Sequence, residues 1–103
     1  MKKIVLSLII GLGLLATSVN ADSTKGQKLY TKKLKKACGF TGRVFATKHT
    51  QDEWDLIGVD GMAKEIRTMC PKVKNKALKL KYLKNYFDFV HDFASDSGNI
   101  PSC

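Results

Sequence analysis

The chain has 103 residues, 18 of them basic and nine acidic, for a formal net charge of +9, and 44% of its residues are hydrophobic. That length holds one domain, too small for a large core unless something staples it. The most apolar run, Ile4 to Leu15, falls short of the ~20 residues a spanning helix needs, which argues against a retained membrane anchor, and no later segment is apolar enough to span.

The N-terminus reads as an export signal. Met1-Lys2-Lys3 is a positive start, and the apolar run follows it. Ala16-Thr17-Ser18-Val19-Asn20-Ala21 then places Val19 and Ala21 at the −3 and −1 positions of a cleavage site. No cysteine stands there, so this is not a lipoprotein leader. The pattern predicts a signal peptide over residues 1–21, a single domain over 22–103, and a periplasmic or secreted destination. Cleavage leaves 82 residues with 16 basic and nine acidic side chains, a net charge of +7. In the cytoplasm such a charge would suggest nucleic acid. Outside it the partners it suits are acidic proteins or anionic envelope surfaces.

Residues 25–38 predict a first helix. Gly26, Leu29, Tyr30, Leu34, Ala37 and Cys38 share one face, and lysines cover the rest. Gly39 is placed to end it in a left-handed conformation. Residues 39–49 read as a connection. Thr50-Gln51-Asp52-Glu53 is a capping box that opens a short helix through Trp54 and Ile57. Gly58 to Gly61 breaks that helix, and Met62 to Cys70 forms a third, ended by Pro71. Residues 76–94 predict the longest helix. Leu80, Leu83, Phe87, Val90 and Ala94 form one apolar stripe, and Tyr82, Tyr86, Phe89 and Phe93 form a second. No strand-like alternation or internal repeat occurs, so the fold class is all-α, a bundle of about four helices.

Three cysteines, Cys38, Cys70 and Cys103, predict one disulfide and one thiol left over in an oxidising compartment. The pairings 38–70, 38–103 and 70–103 all close loops of more than 30 residues, and spacing does not choose among them. No metal site is expected: His49 and His91 lie 42 residues apart and outside any zinc spacing. Asp52 and Glu53 are accounted for by the cap and the helix dipole. Phosphate-binding glycine loops and CxxC motifs are absent, so no catalytic residue is assigned and the protein is not expected to be an enzyme. Six lysines lie in residues 25–36 and six in 72–84. If the first and last helices pack together, Lys28, Lys32, Lys35, Lys36, Lys79, Lys81 and Lys84 form one positive docking surface.

The segment Lys25-Gly26-Gln27-Lys28-Leu29-Tyr30, running into Lys35-Lys36-Ala37-Cys38, resembles the N-terminal helix of small bacterial class I cytochromes c. In that family a glycine and an aromatic four residues later, the places of Gly26 and Tyr30, cross the C-terminal helix. Phe45 to Trp54 is similar to the stretch after the family's haem motif, and Tyr82 to Ala94 suits its last helix. The resemblance implies a cytochrome-c-like bundle. It departs at the centre, because Cys38-Gly39-Phe40-Thr41 stands where CxxCH belongs, with neither the second cysteine nor the proximal histidine. The expectation is therefore an exported scaffold without covalent haem or other cofactor, a binding or accessory module near electron-transfer or envelope partners. The alternatives are a haem carrier attached atypically through Cys38, and a thiol-based redox or stress protein.

Overall fold

Helix begins four residues earlier than the apolar periodicity predicts. The computed structural model describes residues 21–99; the expected signal peptide up to Asn20, and Ile100-Pro101-Ser102-Cys103, lie outside the described residues. The first helix, α1 (Ala21–Leu29), runs into a wide π-turn over Tyr30–Leu34 and then into α2 (Lys35–Cys38), so one rod carries the first lysine cluster. It ends at Gly39, whose φ of 82° is the expected left-handed cap.

The next segment is more ordered than a plain connection. Residues Gly42–Ala46 form α3, capped by the Thr41 hydroxyl, which accepts from the Val44 N–H at 3.3 Å. Five residues are too few to show a 3.6-residue period, and the threonine cap is their only sequence signal. The following helix, α4 (Gln51–Met69), opens on the predicted capping box. Thr50 donates its N–H to Glu53 Oε1 at 2.9 Å, and its hydroxyl accepts from the Glu53 N–H at 3.2 Å. That backbone bond from Thr50, helped by the nearby His49, holds the Glu53 carboxyl below the ordinary value of 4.5.

Where the sequence predicts two helices divided by residues 58–61, the break is one residue wide. Gly58 takes φ 64° and ψ 175°, a conformation open to glycine, and helix resumes at once. The kinked α4, at 19 residues, is thus the longest helical span, and α5 (Leu80–Asp92), at 13, is shorter than the expected 76–94. The missing first turn is a separate 3-10 turn at Asn75–Leu78, divided from α5 by the extended Lys79. The Tyr86 hydroxyl donates to the Ala77 carbonyl at 2.9 Å and ties this turn to α5.

The last helix is the hub: α1 and α4 pack along it, and α3 and the 3-10 turn touch its flanks. Its buried residues are Leu83, Tyr86, Phe89 and Val90, with Phe93 and Ala94 just beyond its end. The core face therefore lies between the two predicted stripes. Leu80, at the exposed first position of α5, is 70% accessible, and Tyr82 and Phe87 are half-buried. Among the described residues there is no strand, and no helix is long and apolar enough to cross a membrane.

Two features fix the packing. At Gly26 the backbones of α1 and α5 meet: a Cβ there would lie 2.0 Å from the Asn85 carbonyl oxygen and 2.8 Å from Phe89 Cβ. One turn on, Tyr30 stacks on Phe45 at 4.6 Å, and Phe45 lies 6.1 Å from Trp54 and 6.5 Å from Phe89. Aromatic pairs of this kind add roughly 0.5–1.5 kcal/mol each beyond their burial. Each buried ring with a polar tip also ties down a connection. Trp54 Nε1 donates to the Ala46 carbonyl at 2.9 Å, and the Tyr30 hydroxyl donates to the Phe40 carbonyl at 2.5 Å. Burial, and then Tyr82, pushes the Tyr86 phenol above its usual 10.0, so it stays a donor to Ala77 into more alkaline solution than an ordinary tyrosine would.

Gly26→Ala should destabilise the fold by at least the roughly 1–3 kcal/mol typical of overpacked interiors, read as a lower urea midpoint with an unchanged slope. Acid should weaken the fold through Glu53. The unfolded chain takes up that proton first, so the contribution is complete above pH 4.5 and drains as the pH falls through the lower folded value. Thermal melts from pH 6 to pH 3 should show a loss that Glu53→Gln partly removes.

Candidate functional site

The cysteines settle how the two lysine clusters meet. Cys38, at the end of α2, is disulfide-bonded to Cys70, at the end of α4, with the Cα atoms 4.4 Å apart. This is one of the three pairings that spacing leaves open. The third cysteine, Cys103, lies outside the described residues. The bridge stands two residues from Lys36 on one side and two residues from Lys72 on the other, so it draws the basic segments toward one another. A native bridge closing a loop of this size contributes about 2–5 kcal/mol in a small domain.

Between those segments lies a cleft of about 770 Å³. One wall is Lys32, Lys33, Lys36 and Ala37, from the π-turn and α2. The other is Lys72, Lys74, Lys76, Ala77 and Lys79, with Tyr82 from the first turn of α5. Seven of the ten lining residues are lysine and none is acidic. Among the described residues no cleft lysine lies within 4.0 Å of a carboxylate, and every ion pair there belongs to a histidine. Two lysines rest instead on the Tyr82 ring: Lys33 Nζ is 4.8 Å and Lys81 Nζ 5.3 Å from its centre.

The second wall is anchored at three points. Cys70 holds its start, Arg67 Nη2 donates to Asn75 Oδ1 at 3.1 Å in the middle, and Tyr86 holds Ala77 near the end. Ala77 and Leu78 are buried beneath it. The lysine stems thus rise from fixed backbone even though the ammonium groups are exposed.

The acidic residues gather elsewhere. Residues 23–51 and 66–87 contain no Asp or Glu, whereas Asp52, Glu53, Asp55, Asp60 and Glu65 lie along α4 and Asp88, Asp92 and Asp96 at the far end of α5. The two histidines pair there. His49 Nε2 lies 2.8 Å from Glu65 across the Gly58 kink and packs edge-on against Trp54 at 4.6 Å. His91 Nε2 lies 3.2 Å from Asp55 and bridges α5 to α4. The Gln51 side chain donates to the His91 carbonyl at 3.0 Å, locking the same end. Among the described residues no group of three or more His, Cys, Asp and Glu side chains converges as a metal site would.

Of the lysines singled out from sequence, the cleft brings together Lys32, Lys36 and Lys79. Lys28 lines a shallow groove with Thr24, Gln27 and Thr31, and Lys35 a hollow beside Phe40. Lys81 and Lys84 flank Leu80 and Val59. Lys33, Lys72, Lys74 and Lys76 belong to the cleft but not to the predicted set. Their signal is the acid-free runs of residues 23–51 and 66–87 combined with the 38–70 pairing, and spacing alone does not supply the pairing.

No family model matches the chain, and neither curated proteins nor solved structures yield a match.

Seven like charges held on facing walls repel. Lys36→Gln with Lys72→Gln should therefore raise the melting midpoint at ~0.01 M salt by about 2 °C, the scale of a few tenths of a kcal/mol in a domain this size. The gain should vanish near ~1 M salt, where the screening length falls to ~3 Å.

Proposed function

We propose that this protein is an exported, non-enzymatic docking module that engages anionic partners of the cell envelope through its lysine-lined cleft. The observation that carries this reading is the concentration of seven lysines on one anchored concave surface that no acidic residue lines, none of them ion-paired among the described residues. Charge concentrated in this way orients a molecule as it approaches an anionic partner and accelerates encounter. The repulsion is tolerated because the disulfide and the Ala77 anchor hold the walls in place, and a fold selected for stability alone has no reason to keep it.

Export is supported by the leader pattern of residues 1–21 and fits a structure that depends on a disulfide. The reading without haem is supported by the chemistry of the donor set. A thioether at Cys38 would claim the sulfur that is bonded to Cys70. His49, the nearest histidine, is paired with Glu65. The interior is filled by Trp54, Tyr30, Tyr86, Phe45 and Phe89, all fully buried. These residues do not fit a covalently attached haem at Cys38.

The test is binding of labelled polyglutamate to the protein purified with its disulfide intact, over a range of salt. Affinity should fall steadily with salt. Lys33→Gln/Lys72→Gln should lose more of it than Lys25→Gln/Lys28→Gln, which removes the same net charge away from the cleft. Salt-independent binding, or equal loss in both variants, sinks the proposal.

A further inference from the structure

The composition of the cleft narrows its ligand, and the narrowing rests on the docking function proposed above. We infer that the cleft is a binding site for condensed phosphate, a short linear chain of phosphate units, in preference to an acidic peptide or an anionic membrane.

The first ground is hydrogen-bond complementarity. A lysine ammonium offers three donors and no acceptor. With seven lysines, two alanines and one tyrosine lining the cleft, the side chains present donors almost exclusively. A peptide entering it brings backbone N–H groups that need acceptors, and the walls provide only the Tyr82 oxygen among their side chains. Each donor left buried without a partner costs about 1–3 kcal/mol. A condensed phosphate chain presents acceptors almost exclusively and so matches donor-rich walls.

The second ground is charge density. The cleft, about 770 Å³, is in the ordinary range for a small-molecule site, roughly 300–1,000 Å³. Seven lysines line that volume, none ion-paired among the described residues. A peptide spends most of its bulk on uncharged backbone between carboxylates. Condensed phosphate carries charge on every unit and matches the walls within the same space.

The third ground is the kind of cation. Sixteen of the protein's eighteen basic residues are lysine, and Arg43 and Arg67 are both absent from the cleft. Arginine grips one planar carboxylate or phosphate with a rigid fork, whereas lysine acts as a compact point charge on a flexible stem. Flexible point charges suit a chain of tetrahedral groups whose oxygens face in all directions. A bilayer is flat and would meet the rim of the cleft without bringing the facing walls onto its headgroups together.

Isothermal titration of the disulfide-intact protein with sodium tripolyphosphate, tetra-aspartate peptide and anionic phospholipid vesicles separates the possibilities. Tripolyphosphate should bind one to one and at least about tenfold more tightly than tetra-aspartate, the scale of one or two charge-assisted hydrogen bonds. The ³¹P resonances of tripolyphosphate should broaden on addition of protein. Lys33→Gln/Lys72→Gln/Lys76→Gln should weaken tripolyphosphate by about tenfold or more, while Lys25→Gln/Lys28→Gln/Lys84→Gln, with the same net charge, should change it less than about twofold. Equal affinity for phosphate and peptide, tighter binding to peptide or vesicles, or equal loss in both variants overturns the inference. Tight polyglutamate binding without a phosphate preference would leave the docking function standing and this assignment refuted. Failure of every anion would refute both.

Discussion

The Cys38–Cys70 bond is the constraint on which the rest of the molecule turns. It joins the end of the first helical rod to the end of α4, and each cysteine is followed or preceded within a few residues by lysines. Two segments this rich in positive charge repel, and the covalent tie opposes that repulsion alongside the packing of the first rod on α5. With the tie, the lysines of both segments line one cleft. The same bond spares a small core part of its task. A domain of this size buries too little apolar surface to be secure alone, and the bridge limits the freedom of its unfolded chain.

Much of the fold was legible in the chain, because its signals are local. The file Gly26, Tyr30, Leu34 and Cys38 marks the inner face of the rod, Thr50 and Glu53 mark the start of α4, and Gly39 marks a helix end. Steps of four residues in an ideal α-helix drift by about 40° each, so that file should wander off the core. The π-turn over Tyr30–Leu34 takes in the surplus and keeps Cys38 turned toward Cys70. Periodicity shows the face but not the device that straightens it. The start of α5 was illegible for a similar reason: Lys79 turns extended between a 3-10 turn and α5, and the Tyr86–Ala77 bond that ties that turn down spans nine residues, which periodicity does not record.

The candidate site was half legible. Lysine clusters are plain in the sequence, but which of them face one another depends on a pairing that spacing leaves threefold ambiguous. Once Cys38 meets Cys70, the residues after Pro71 become the second wall, and Lys72, Lys74 and Lys76 line the cleft while Lys81 and Lys84 lie outside it. Histidine roles were hidden as well. His49 and His91 look isolated in sequence, yet each closes a gap between helical segments by facing a carboxylate on α4.

The bridge also gives the chain a topology that the helices alone do not convey. Residues 38–70 are a closed ring that holds α3 and α4, and from it two arms emerge, one carrying α1 and the other α5. Of the sixteen lysines fourteen are on the arms, while five of the nine acids sit in the ring. The arms cross at Gly26 and Asn85, so the two linear parts of the molecule clasp each other outside the loop that joins them. A peptide bond cut anywhere between residues 39 and 69 opens the ring yet leaves both arms covalently attached. A cut in an arm frees whatever lies beyond it.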